Sequence, residues 1–142
     1  MNENVYITES AESTKKIAKE FAKQISKGDF IAFYGNLGSG KTTFIQGLAQ
    51  GLGIKRRIIS PTFIIVRHYN LKKDNFYHID LYRSESNSDI LGLGIDDILN
   101  DKNNIIALEW AEKMGKMLPN KRIDVYFEYL GDNKRKITIK YV

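Results

Sequence analysis

The run Gly35-Asn36-Leu37-Gly38-Ser39-Gly40-Lys41-Thr42 carries the most legible chemistry in this chain. It satisfies in full the pattern of glycine, four residues, glycine, lysine and then serine or threonine, which is a cradle for phosphate. Glycines take positive φ and let a ligand approach the backbone closely, so successive N–H groups can turn inward as an anion nest. A helix starting near Lys41 would add its unpaired N–H groups and the positive end of its dipole. Lys41 itself supplies a mobile charge for the β- and γ-phosphates. Thr42 offers a hydroxyl to Mg²⁺, a cation that takes oxygen ligands, and Thr43 a second hydroxyl near the α-phosphate. The expected ligand is a nucleoside triphosphate with Mg²⁺, held by Asn36, Leu37, Gly38, Ser39, Gly40, Lys41, Thr42 and Thr43.

A phosphate cradle binds; hydrolysis also requires a group that fixes the metal and one that orients water. Asp80 and Glu109 are the candidates, each closing an apolar run from which a strand can project a carboxylate toward the phosphates. Glu109 is assigned chiefly to Mg²⁺ through its water shell and Asp80 to water, with the two roles interchangeable at this stage. Lys41 completes the catalytic set. Ser60-Pro61-Thr62-Phe63 fits a switch segment, in which Pro61 stiffens the entry and Thr62 offers a hydroxyl to the γ-phosphate or the metal shell. His78, two residues before Asp80, shares that strand face and reads as a packed or hydrogen-bonded histidine. The basic clusters Lys55-Arg56-Arg57 and Lys134-Arg135-Lys136 read as solvated.

The elements that must hold these groups are visible as periodicities. Phe30-Ile31-Ala32-Phe33-Tyr34 is a continuous apolar run of the kind that forms a strand covered on both faces. After the glycine-rich turn, Phe44, Ile45, Leu48, Ala49 and Leu52 recur at helical spacing and stop at Gly53. An amphipathic helix is expected from Ser10, its N-cap, to about Ile25. The runs Thr62 to Tyr69 and Phe76 to Tyr82 flank a polar turn and read as a hairpin. Asn104 to Leu108 is a further buried strand, followed by residues that look helical after Glu109-Trp110. Ile123 to Tyr129 and Lys136 to Val142 bracket Gly131-Asp132-Asn133 as a second hairpin with one lysine-rich, solvated face. The fold expected is α/β, a P-loop NTPase-like mixed β-sheet flanked by helices, in a single domain spanning residues 1–142.

Composition narrows the rest. A chain of 142 residues at 42% hydrophobic has the size of one core. With no cysteine and two histidines, disulfides, thiolate sites and nitrogen-rich metal cages are excluded, leaving oxygen as the metal ligand. No apolar stretch approaches a membrane span and the N-terminus lacks a signal-peptide pattern, so a cytoplasmic protein without membrane contact is expected. The net charge of +5 permits contact with RNA, but lysines scattered along the chain point first to ordinary solvated surface.

Read together, the cradle through Phe44, Gly51-Leu52-Gly53, Ser60-Pro61-Thr62-Phe63, His78-Ile79-Asp80-Leu81-Tyr82-Arg83 and Glu109-Trp110 resemble the TsaE (YjeE) family from about residue 8 to 130. Asn36, Ser39, Leu108 and Ala111 depart mildly from its pattern, at positions without an assigned chemical role. The resemblance implies an ATPase needed to form threonylcarbamoyladenosine on tRNA, with ATP as the nucleotide. It implies TsaD and TsaB as partners, tRNA engaged indirectly through that complex, and both matching acids in the active site. It also implies a functional Trp110, stacked on a base or closed over the site; a lone tryptophan would otherwise be expected in a core. Weak hydrolysis without partners is expected, since no arginine finger is evident. Two other classes are a small-molecule kinase, for which the chain leaves little room for a lid, and a non-enzymatic nucleotide sensor or RNA-binding module that would need neither acid.

Overall fold

The computed structural model describes residues 3–58 and 65–142. The switch segment Ser60-Pro61-Thr62-Phe63 therefore lies outside the described residues. In chain order the elements are β1 (Glu3–Thr8), α1 (Ala11–Ala22), β2 (Phe30–Tyr34), α2 (Lys41–Gly51), β3 (Val66–Asn70), β4 (Asn75–Asp80), α3 (Asn87–Leu91), α4 (Ile95–Asn100), β5 (Asn104–Glu109), a 3-10 helix (Ala111–Met117), β6 (Ile123–Gly131) and β7 (Lys134–Tyr141). The strands form one mixed seven-stranded sheet in the order β1-β7-β6-β2-β5-β4-β3. No described helix is long and apolar enough to cross a membrane.

Because β2, β4, β5 and β6 run parallel, their C-terminal ends meet at one edge of the sheet. Ligands of open α/β sheets bind outside that edge. β2 is central and buried on both faces, as its unbroken apolar run requires. Ile31 and Phe33 join the core under α1 and α2, whereas Phe30 and Ala32 join the core under α3, α4 and the 3-10 helix. The helices thus lie on both faces.

α1 begins at a capping box in which Ser10 accepts from Ser13 N–H, and it packs along α2. That packing is close enough to demand glycine. A Cβ on Gly47 would sit 2.7 Å from the Lys15 backbone, and one on Gly51 2.5 Å from Ala22 Cβ. The close approach fixes α2 against the sheet, and with it the helix start that faces the sheet edge.

Both hairpins form. β3 pairs antiparallel with β4, and β6 with β7 across a turn in which Asp132 and Asn133 both take positive φ, the backbone of a two-residue hairpin turn. β1 and the two short helices α3 and α4 are additions to the elements expected. β1 adds an edge strand antiparallel to β7, with Val5 and Ile7 exposed.

Candidate nucleotide site

Three backbones converge at the C-terminal sheet edge. The first is the turn between β2 and α2. Gly35, Gly38 and Gly40 all have positive φ (145°, 76° and 109°), and Gly40 is the N-cap of α2 without any side-chain cap. The first N–H groups of α2 consequently have no capping side chain, and an anion is the natural partner for such a terminus. Ser39 Oγ is buried with no hydrogen-bond partner among the described residues, a second polar group in want of one. Asn36, Leu37 and Gly38 form the exposed lip of the turn, while Thr42 and Thr43 are half-buried in the first turn of α2.

Lys41 is the first residue of α2 and only 4% exposed. Its Nζ donates to the carbonyl oxygen of Gly35 and lies 4.0 Å from the centre of the Trp110 ring. Burial pulls the ammonium below its ordinary 10.5, against the opposing attraction of Glu109, Glu112 and Asp80. Such a cation is under-solvated in the absence of a phosphate.

The second backbone is the adjacent pair β4 and β5. Asp80 and Glu109 are register partners at the ends of these parallel strands, so one sheet edge presents both carboxylates beside α2. His78 Nε2–H donates to Glu109 Oε2 at 2.6 Å, and both side chains are buried. Two residues along a strand return to the same face, which is why His78 lies diagonally behind Glu109. Asp80 is fixed differently, by accepting the Tyr82 N–H at 2.9 Å. Lys113 Nζ reaches across to Tyr82 O and Ser84 O, at 2.5 and 2.9 Å, tying the turn after β4 to the 3-10 helix after β5. Trp110 takes a left-handed backbone (φ 61°) between β5 and that helix, which turns its ring over Lys41 and beside Tyr82.

Asp80 and Glu109 repel one another. Burial raises the Asp80 carboxyl above its ordinary 3.8, and the charge of Glu109 adds to it, while the Tyr82 N–H opposes. A carboxyl raised on folding destabilises the fold when ionised: the effect is absent below the unfolded value and complete above the folded one. Asp80→Asn is thus expected to raise the melting temperature of the ligand-free protein at neutral pH, and the gain should vanish as the pH falls through 3.8. Thermal unfolding of both proteins from acid to neutral pH checks this; a variant less stable than wild type at neutral pH would contradict it.

The third backbone is the β6–β7 hairpin, and it brings a residue that sequence adjacency assigned to solvent. Arg135 is half-buried and lines the same cleft as Leu37, Gly38, Gly40, Lys41, Thr42, Thr43, Asp80, Glu109 and Trp110, a hollow of about 300 Å³. A Cβ on Gly40 would lie 2.8 Å from Arg135 Cδ, so this glycine is required by the arginine as well as by its own φ. Phe127 of β6 crowds Gly35 in the same way, at 3.0 Å. The signal was present in the strand period: Arg135, Ile137 and Ile139 alternate with Lys134, Lys136 and Lys140, and the two isoleucines are core.

No cluster of three or more His, Cys, Asp or Glu arranged to hold a metal ion occurs among the described residues. Two carboxylates and a threonine hydroxyl beside a phosphate cradle nevertheless suit Mg²⁺, which keeps waters and takes only one or two protein carboxylates.

Known proteins share these features. A family profile described as "Threonylcarbamoyl adenosine biosynthesis protein TsaE" matches residues 8–137. The chain is 41% identical over 135 residues to the tRNA threonylcarbamoyladenosine biosynthesis protein TsaE of Bacillus subtilis (strain 168), covering 95% of this chain and 84% of that relative. It is 31% identical over 133 residues to the protein of the same name from Treponema pallidum (strain Nichols), covering 94% and 97%. A crystal structure of YdiB from Bacillus subtilis superposes with a TM-score of 0.83 at 33% identity, over 99% of this chain and 86% of that one. Fold, cleft and sequence agree, and the chain belongs to the TsaE family of threonylcarbamoyl adenosine biosynthesis proteins.

Proposed function

We propose that this chain is a Mg²⁺-dependent ATP hydrolase that serves the formation of threonylcarbamoyladenosine on tRNA, acting as a nucleotide-driven switch on a transferase complex of TsaD and TsaB. The observation that carries this reading is the meeting, in one cleft, of the glycine cradle, the under-solvated Lys41 and the register-paired Asp80 and Glu109. An ordinary anion site has no use for two buried carboxylates beside its lysine. A metal-chelated triphosphate does, because the metal reverses the local sign of charge.

In this reading the amides from Asn36 to Thr43 bind the phosphates and Lys41 spans the β- and γ-phosphates. Thr42 and Glu109 would hold Mg²⁺, Glu109 chiefly through water, and Asp80 would orient the attacking water, with its raised pKa suiting it to accept a proton. When bound, the metal neutralises charge developing between the β- and γ-phosphates. His78 holds Glu109 in one rotamer, and Trp110 closes over Lys41 and shields its charge from water. Ser60-Pro61-Thr62-Phe63 would be the segment that senses the γ-phosphate.

The test is steady-state ATP hydrolysis by the chain alone and with TsaD and TsaB, alongside calorimetry with Mg·ATP. Binding, slow turnover alone and faster turnover with the partners are expected. Equal turnover in both conditions would sink the switch, and absence of binding in either would sink the nucleotide reading.

A further inference from the structure

The cleft has two flanks. Asp80 and Glu109 stand on the β5–β4 side of β2, and the β6–β7 hairpin stands on the other. A triphosphate laid across the cradle between them is directional. Its γ-end carries the metal and must face the carboxylates, so its nucleoside end leaves over β6 and β7. On that flank Arg135 passes its stem across Gly40, donates from Nη1 to Asn133 O at 3.0 Å and sets its guanidinium 5.0 Å from the centre of the Tyr129 ring. Tyr129 is Arg135's register partner and half exposed. No ion pair joins Arg135 to a carboxylate among the described residues, although Lys134 and Lys136 beside it point to solvent.

We propose that Arg135 and Tyr129 form the platform that receives the nucleoside end of the bound nucleotide. This rests on the nucleotide reading of the cleft and adds a determinant to it. A planar guanidinium spread near an aromatic ring presents a flat cationic surface, which suits a purine by stacking and the α-phosphate by charge. Trp110, on the opposite flank, then covers Lys41 and the γ-end and does not meet the base. Arg135 is accordingly a binding residue and not the arginine finger of the reaction, for it lies on the side away from both acids.

The test compares Mg·ATP with Mg·tripolyphosphate, which has the same anionic tail and no nucleoside, by calorimetry on wild type, Arg135→Ala, Arg135→Lys and Tyr129→Leu. Arg135→Ala is expected to weaken ATP by about tenfold while changing tripolyphosphate by less than about twofold, with the lysine and leucine variants intermediate. Unaltered tripolyphosphate binding also shows that the variant is folded. In hydrolysis with the partner complex, KM should rise while kcat holds. Equal loss of both ligands, or a fall in kcat at constant KM, would overturn the assignment, as would unchanged ATP affinity in all three variants. Failure of wild type to bind either compound would instead remove the nucleotide reading itself.

Discussion

Lys41→Met is expected to remove ATP hydrolysis almost entirely, lowering kcat/KM by about two to four orders of magnitude, or roughly 3–5 kcal/mol of transition-state stabilisation. Methionine keeps an unbranched stem of similar length beside Trp110 and deletes only the charge. The loss should be large because the ammonium is already stripped of water, as its lowered pKa records. In that environment an added phosphate meets a cation whose charge is screened by little other than the Gly35 carbonyl and the Trp110 ring. The fold should survive, since a buried ammonium held below its ordinary value contributes an unfavourable desolvation to the ligand-free state. Circular dichroism and a melting curve establish the second point, and single-turnover hydrolysis with radiolabelled ATP the first. Turnover within a few-fold of wild type in a folded Lys41→Met protein would mean that the cleft does not act on the phosphates.

Much of this site could be read before the fold was known, and the reason is local. A cradle between a strand and a helix is a contiguous stretch of chain, so its spacing carries its geometry. The two acids were legible because each ends a buried strand, and ends of parallel strands gather at one edge. What could not be read was pairing across distance. His78 meets Glu109 only because β4 and β5 align Asp80 with Glu109. Arg135 meets Gly40 only because β6 lies next to β2 and carries β7 with it. Its neighbours in sequence, both lysines, disguised it as solvated charge.

The unforeseen elements have physical causes as well. β1 places Val5 and Ile7 on its exposed face and Tyr6 and Thr8 on the other, so its apolar residues do not alternate with polar ones as a half-buried strand should. Only its pairing with β7 defines it. α3 and α4 are short and are separated by Gly92 and Gly94, which leaves no helical period long enough to detect; Ile90 and Ile95 alone anchor them in the core.

The sharpest separation of roles should come from Glu109→Gln. Glutamine keeps the shape and still offers an oxygen to the His78 N–H, so the buried contact survives while the negative charge is lost. The cradle and Lys41 are untouched, and ATP affinity should therefore stay within a few-fold of wild type. Catalysis should not: kcat is expected to fall by about 10²–10³, or roughly 2.7–4 kcal/mol, as for loss of one preorganised electrostatic group. The Mg²⁺ dependence then assigns the two acids. If Glu109 acts on the metal's water shell, the variant's requirement for Mg²⁺ should shift to higher concentration and part of the rate should return at saturation. Asp80→Asn, whose carboxyl is assigned to water, should lose rate without that shift. Rates parallel to wild type across the Mg²⁺ titration in Glu109→Gln would strip Glu109 of any part in the chemistry, and a Mg²⁺ shift in Asp80→Asn alone would exchange the two roles. The contrast is measurable because the two carboxylates, though register partners, are held by different groups: Glu109 by a buried imidazole, Asp80 by a backbone amide in the turn that follows it.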